Sequence, residues 1–213
     1  MSAAKELAVV AQLLETRGLN AGTSGNVSVR LPDGLLVTPS AVPSEHMHAE
    51  AMVVLGWDGE VLSAGIPTTE WRIHSDIYRA VPDAGAIVHT HSTYATALAS
   101  LREDLPAFHY QVAKAGGYTV ACAQYAPYGT QELSDAVIAA LGTRRACLMA
   151  NHGLIAYAPD LDKALALAVE VETLCQQYLI ARSAGQPILL SDDEMDVVLD
   201  QFSRYGKDSP DTA

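Results

Sequence analysis

Two periods organise the hydrophobic positions of this chain. Residues 3–17 place Leu7, Val10, Ala11 and Leu14 at helical spacing, and Gly18 follows as a C-cap. The period then falls to two. Val27-Ser28-Val29-Arg30-Leu31 alternates, turns at Pro32-Asp33-Gly34 and returns as Leu35-Leu36-Val37, a hairpin signal. A second hairpin is expected from Met52-Val53-Val54-Leu55 through a turn near Asp58-Gly59 to Val61-Leu62. A helix is predicted over 69–80, stopping before Val81-Pro82 because a proline disfavours helical geometry in the residue before it. Ala86-Ile87-Val88-His89 reads as a buried strand, followed by a helix near 93–101, a strand over 118–121 and a helix over 130–141. Two apolar strands, 146–149 and 154–157, flank Asn151-His152-Gly153. A long helix is expected over about 160–184. Ser191-Asp192-Asp193-Glu194 has capping-box spacing and opens a last helix ending near Tyr205.

The composition can fill the core this pattern needs. Of 213 residues, 49% are hydrophobic and 18% charged, which excludes an intrinsically disordered chain. At this length one domain is expected, spanning 1–206 with a flexible polar tail at 207–213. Hairpins come first and mixed helices and strands after, the order of an α/β domain with a mainly antiparallel or mixed sheet. Lysine and arginine number 13 against 25 acidic residues, a net charge of −12. So acidic a chain is a poor nucleic-acid binder and a poor ligand for anionic membranes. An anionic ligand would need a site built locally against the global field. No segment approaches the roughly 18 apolar residues of a membrane span, and the N-terminal stretch lacks a signal-peptide core. Cys122, Cys147 and Cys175 are scattered with no paired spacing, as in a cytosolic protein with reduced thiols.

Histidine carries the chemical signal. His89-Thr90-His91 closes an apolar strand, and residues two apart on a strand point the same way, so both imidazoles can converge on one metal. His152, in a polar break between two apolar strands, is the best third ligand. Spacing alone leaves these residues open between structural and metal-binding roles. His46-Met47-His48, among Glu45 and Glu50, reads as a solvated loop, and His74 on the 69–80 helix as a packing or surface residue. Gly22-Thr23-Ser24-Gly25-Asn26 is either a turn opening the Val27 strand or a nest for phosphate oxygens. Thr68-Thr69-Glu70 stands at a helix N-terminus, as a cap or as an anion site.

Eight segments in order along nearly the whole chain resemble the class II, zinc-dependent sugar-phosphate aldolase family: GLNAGTSGNVSVR, LLVTPSAVP, GIPTTEWRIHSDIY, AIVHTHS, AFHYQVAKAGG, YAPYGTQELS, NHGLIA and QFSRYG. The resemblance implies a single α/β domain with a central, mainly antiparallel sheet flanked by helices, the fold shared with ribulose-phosphate epimerases. It also implies a cytoplasmic homotetramer with active sites between subunits and one Zn²⁺ per chain. By the same resemblance His89, His91 and His152 match the zinc ligands. Glu70 matches the catalytic acid/base, which also approaches the metal. Thr23, Ser24, Gly25, Asn26, Ser40, Ala41, Thr68 and Thr69 match the phosphate pocket. Tyr110 matches a tyrosine that reaches a neighbouring subunit's site, and Tyr128 and Tyr205 match aromatic positions near the aldehyde end and the mobile C-terminus.

The implied reaction is cleavage of a ketose 1-phosphate to dihydroxyacetone phosphate and a small aldehyde. Dehydration of methylthioribulose 1-phosphate and epimerisation of a pentulose phosphate are alternatives on the same scaffold. A non-catalytic, partner-binding scaffold is the alternative outside enzymology, and it has no need of three histidines, Glu70 and Tyr110 together. Three departures bear on substrate choice. Ala41 stands where close relatives have glycine, Thr68 and Thr69 replace serines, and Asn151 replaces a histidine that is not a ligand.

Overall fold

The alternating segments pair into one sheet. In this computed structural model, which describes residues 2–204, β1 (Asn26–Leu31) and β2 (Gly34–Val37) form the first hairpin, with Arg30 opposite Leu35. The outer edge of β2 takes β3 (Val53–Gly56), and the other edge of β1 takes β4 (Ala86–Thr90). Beyond β4 lie β7 (Gly153–Ala158), β6 (Ala146–Met149) and the two-residue β5 (Cys122–Ala123), giving the order β3-β2-β1-β4-β7-β6-β5. Every pair is antiparallel except β5–β6.

Both faces of the sheet are covered, which is why its central strands read as unbroken apolar runs. On one face α1 (Ala3–Thr16), α3 (Thr93–Ser100) and α5 (Leu161–Ala184) bury Leu7, Leu98 and Leu174 with Val27, Val88 and Leu154. On the other, α2 (Trp71–Ala80) and α4 (Gln131–Leu141) bury Ile73, Ile77, Leu133 and Val137 with Leu35, Ile87 and Ile155. By length and composition α5 is apolar enough to cross a membrane. Its buried residues recur every three or four positions from Leu161 to Tyr178, and that stripe lies in the core against the sheet. The last helix, α6 (Asp192–Arg204), opens with the expected reciprocal cap: Ser191 N donates to Glu194 Oε2 (2.8 Å), and Glu194 N donates to Ser191 Oγ (3.3 Å).

Three expectations need correction. The strand at 118–121 is displaced: Val120 forms only an isolated bridge with Leu105, and pairing to β6 starts at Cys122. The second hairpin is reduced on its return arm to a Leu55–Val61 bridge and one bond from Leu62 N to Val54 O (2.9 Å). The helix expected from 69 starts at Trp71, which frees Glu70 to turn elsewhere. The 207–213 tail lies outside the described residues.

Strands β4 and β7 meet most closely at Gly153. A Cβ there would sit 2.2 Å from the Thr90 carbonyl oxygen and 3.3 Å from His91 Cδ2. Backbone cannot swing aside as a flexible side chain does. Gly153→Ala is therefore expected to destabilise the fold by about 1–3 kcal/mol, measured by chemical denaturation. An unchanged denaturation midpoint would contradict this close approach.

Candidate metal centre and adjoining cavity

Strand register delivers the first imidazole. His89 pairs with Asn26 of β1 and Ile155 of β7, and its side chain faces the layer of α2. His91 follows one residue past the end of β4, and His152 sits in the turn between β6 and β7. That turn is made possible by Asn151, whose φ of 54° is left-handed, a conformation asparagine tolerates better than most residues. The three rings meet edge to face, with centroids 4.8–4.9 Å apart. Glu70 occupies the N-cap position of α2 without capping it. Its carboxylate turns into the histidines instead, with Oε2 3.2 Å from His89 Nε2 and Oε1 3.1 Å from His152 Nε2.

The donor chemistry fits a divalent cation. His89 Nδ1 lies 2.9 Å from the Leu154 carbonyl and must donate to it, so in the neutral ring Nε2 carries the lone pair. That atom faces His91 Nε2 at 3.0 Å and a carboxylate oxygen at 3.2 Å. Glu70 Oε1 is buried without a hydrogen bond. One ligand atom from each of the four residues falls within a 4.8 Å cluster. Ligands on a tetrahedral ion with bonds of about 2.0–2.1 Å sit roughly 3.3–3.4 Å apart, near the 3.0 Å between His89 and His91 and the 3.1–3.2 Å from Glu70 to His152 and His89. Burial opposes the charge on Glu70, but His89 and His152 outweigh it and hold the carboxyl far below the usual range. Burial, reinforced by the neighbouring His89 and His152, lowers the His91 pKa to about 4, keeping its lone pair available.

A cavity of about 370 Å³ opens beside this cluster. It is lined by the small and polar residues Thr23, Ser24, Gly25, Asn26, Ser40, Ala41, Thr68 and Thr69, by Tyr125, Ala126, Tyr128 and Asn151, and by Glu70, His91 and His152 of the cluster. Among the described residues, no lysine or arginine lines it. Gly25 is required by its φ of 73° and because a Cβ would strike the Asn20 amide at 2.2 Å. Asn20 Oδ1 in turn accepts from His91 N (3.0 Å), so one side chain braces both the small-residue loop and a histidine of the cluster.

Over residues 5–179 the chain matches the Class II Aldolase and Adducin N-terminal domain family. The chain belongs to the class II aldolase family. It is 46% identical over 190 residues to the L-fuculose phosphate aldolase of Escherichia coli strain K12, covering 89% of this chain and 88% of that one. It is also 46% identical over 196 residues to a 5-methylthioribulose-1-phosphate/5-deoxyribulose-1-phosphate aldolase of Rhodospirillum rubrum, covering 92% and 89%. A solved L-fuculose 1-phosphate aldolase superposes with a TM-score of 0.91 at 38% identity, covering 95% of this chain and 98% of that one. The chain is accordingly a lyase of a metal-dependent family, with that family's single-domain α/β fold.

Within this aldolase-family chain, the residues the sequence singles out are distributed unevenly. Glu70, His91, His152, all eight small and polar pocket candidates and Tyr128 line the cavity, and His89 lies buried against the cluster. Ala41 holds φ 56°, a left-handed conformation that favours glycine. Asn26 lines the cavity with its amide already engaged by Thr68, Glu70 and His74. Tyr110 is not among the lining residues: it is 49% exposed and stacks on His109 with centroids 4.8 Å apart. Tyr205 lies outside the described residues. His46 and His48 are exposed, as a solvated loop requires.

Two features escape the sequence reading. Tyr125 joins the cavity lining, and Arg102 stands over its ring (5.7 Å) and donates from Nε to Asn151 Oδ1 (2.8 Å). His74 is buried and bonded into the site rather than packed against apolar neighbours. A signal for the second was present: Asn26 and Ser28 share a strand face, and His74 and Tyr78 share a helix face.

Proposed function

We propose that this chain is a zinc-dependent aldolase cleaving a ketose 1-phosphate of the L-fuculose 1-phosphate type into dihydroxyacetone phosphate and a small aldehyde. The observation that carries the reading is the convergence of Glu70 with three imidazoles beside a cavity lined by hydroxyl and amide side chains. Aldolase names on both 46%-identical relatives favour C–C cleavage over dehydration or epimerisation. We further place the enzyme in the cytoplasm as a homotetramer, one Zn²⁺ per chain.

In this reading His89, His91, His152 and Glu70 hold the ion, which supplies Lewis-acid stabilisation of the charge that develops as the C3–C4 bond breaks. Thr23, Ser24, Ser40 and Thr69, with the backbone amides of the 22–26 loop, receive the phosphate. These are neutral donors acting at close range, so a chain of net charge −12 can still bind an anion. Cleavage requires the C4 hydroxyl to give up a proton and C3 to gain one. Glu70 serves C3, because it lines the cavity beside the three imidazoles. The C4 proton falls to Tyr110 of a neighbouring subunit, since Tyr110 of the same chain stands outside the cavity. Tyr125 and Tyr128 shape the aldehyde end.

The metal and the carboxylate are separable. Purified protein is expected to carry about one zinc per chain, lost in a His89, His91, His152 triple alanine variant. Glu70→Gln should keep the metal while turnover falls roughly 10²–10⁴-fold. Metal analysis and turnover on the same samples check both, and unchanged turnover in Glu70→Gln removes that residue from the mechanism.

If Tyr110 acts in trans, subunits carrying Glu70→Gln mixed with subunits carrying Tyr110→Phe should recover part of the activity neither has alone. No recovery after verified subunit exchange would mean a site complete within one chain.

The reaction is tested by a coupled assay for dihydroxyacetone phosphate across L-fuculose, L-rhamnulose and 5-deoxypentulose 1-phosphates, with and without chelator. Cleavage of at least one, abolished by chelator, is expected. No cleavage of any, with a diketone formed from methylthioribulose 1-phosphate, would assign dehydration instead.

A further inference from the structure

One polar assembly in the core takes no part in the steps above. Asn26 and Ser28 lie two apart on β1, facing α2, where His74 and Tyr78 lie one turn apart. Tyr78 Oη is 2.8 Å from Ser28 Oγ, Ser28 Oγ 2.7 Å from His74 Nδ1, and His74 Nε2 2.5 Å from Asn26 Oδ1. Asn26 Nδ2 then reaches Glu70 Oε2 at 2.9 Å and Thr68 Oγ1 at 3.1 Å. All these residues are buried, Ser28, His74 and Tyr78 to within 1% of complete.

The direction of every link follows from the carboxylate outward. An ionised Glu70 only accepts, so Asn26 Nδ2 donates and Oδ1 is the atom turned to His74. His74 Nε2 must then be the N–H. Burial lowers the His74 pKa to about 3, so the ring is neutral and has one N–H; its Nδ1 is a bare acceptor. Ser28 therefore donates to Nδ1, and its oxygen receives the Tyr78 hydroxyl. Reversing any link would set two donors or two acceptors face to face in the core. The far end is held fast: Arg30 lies 4.8 Å over the Tyr78 ring, and its guanidinium donates to the carbonyls of Tyr78, Val81 and Ala84.

We propose that His74 is a positioning residue: as the Nε2–H tautomer, set by Ser28 and Tyr78, it locks the Asn26 amide and through it the orientation of the Glu70 carboxylate. The idea rests on the reading of Glu70 as the proton carrier. Glu70 needs such a tether. It stands where the turn after Thr68 enters α2, its side chain makes no cap bond, and misplacing a reacting group by about 1 Å costs on the order of 10²-fold.

The tautomer is read directly by ¹⁵N NMR of the ring nitrogens in the full-length protein, with His74 assigned by the loss of its signals in His74→Gln. A neutral ring with bare Nδ1 and protonated Nε2 is expected at neutral pH. In kinetics, His74→Leu should lower kcat about 10–100-fold with KM and bound metal unchanged, the size of effect usual for partners that orient groups at a metal site. His74→Gln, whose amide N–H can still donate to Asn26 Oδ1, should recover most of that loss. A protonated Nδ1, an imidazolium at His74, wild-type kcat in a folded His74→Leu, or equal losses in both variants would each overturn the proposal. Should His74→Leu not fold, the ring spectrum decides. Should the parent protein cleave no ketose phosphate, the function proposed above fails, and the ring spectrum still decides the relay.

Discussion

Glu70 places a negative charge where desolvation alone opposes it strongly, and the surrounding structure is organised around compensating that charge. A carboxylate buried without partners would neutralise itself by taking a proton. Here it is held ionised by two imidazoles and an amide that come from three different elements. His89 belongs to β4, His152 to the turn before β7, and Asn26 to β1. In the sheet order β1, β4 and β7 are consecutive neighbours. Pairing these three strands in register is thus the same event as assembling the charge cluster, and a slip of one residue would carry His89 to the opposite face.

The backbone also decides which nitrogen each histidine offers. The Leu154 carbonyl takes the Nδ1 proton of His89, and Leu154 belongs to the strand paired with His89's own. His91 is steadied at its backbone N–H by Asn20, which also fits against Gly25. His91 and the small-residue loop are therefore braced by one side chain, although the residues involved lie far apart in sequence. This coupling is what allows a strongly acidic chain to present a locally donor-rich pocket: the donors are hydroxyls and amides fixed at short range, where the distant surface charge is screened.

Much of this was legible before any coordinates, and the reasons differ by element. The HxH at the end of an apolar strand is a local period-two signal, and the Asn151-His152-Gly153 break is a local interruption of two apolar runs, so both could be read directly. The Ser191–Glu194 cap is likewise local and appears as expected. What was hidden depends on long-range pairing. The edge strand slips from 118–121 to Cys122–Ala123 because Val120 bonds back to Leu105 and Asp104 Oδ1 takes the Cys122 N–H, neither of which leaves a trace in the local pattern. His74 looked like a packing residue because Asn26 and Ser28, its partners, are more than forty positions away. By spacing alone Thr68-Thr69-Glu70 reads as a cap or an anion site, and only the family resemblance singles out Glu70. The folded chain adds the physical reason: the carboxylate makes no cap bond and turns to His89 and His152.

The part of the cavity wall lined by Tyr125, Tyr128 and Asn151 obeys a different logic: these side chains are exposed, whereas Asn26, Thr68 and Glu70 are buried and hydrogen-bonded to one another. What organises it is a single exposed arginine. Arg102, itself at φ 57°, donates to Asn151 Oδ1 and stands over Tyr125. Because the guanidinium can only donate, the amide must turn its oxygen outward to Arg102, leaving Nδ2 as the group free to face the cavity. A histidine at position 151 would present a different donor set and could not accept from Arg102 in the same way. Tyr125 and Tyr128 are exposed, so substitutions there cost few buried contacts, whereas Asn151 carries the left-handed turn between β6 and β7 and Gly153 the close approach to the Thr90 carbonyl, so changes at those two positions disturb the sheet itself.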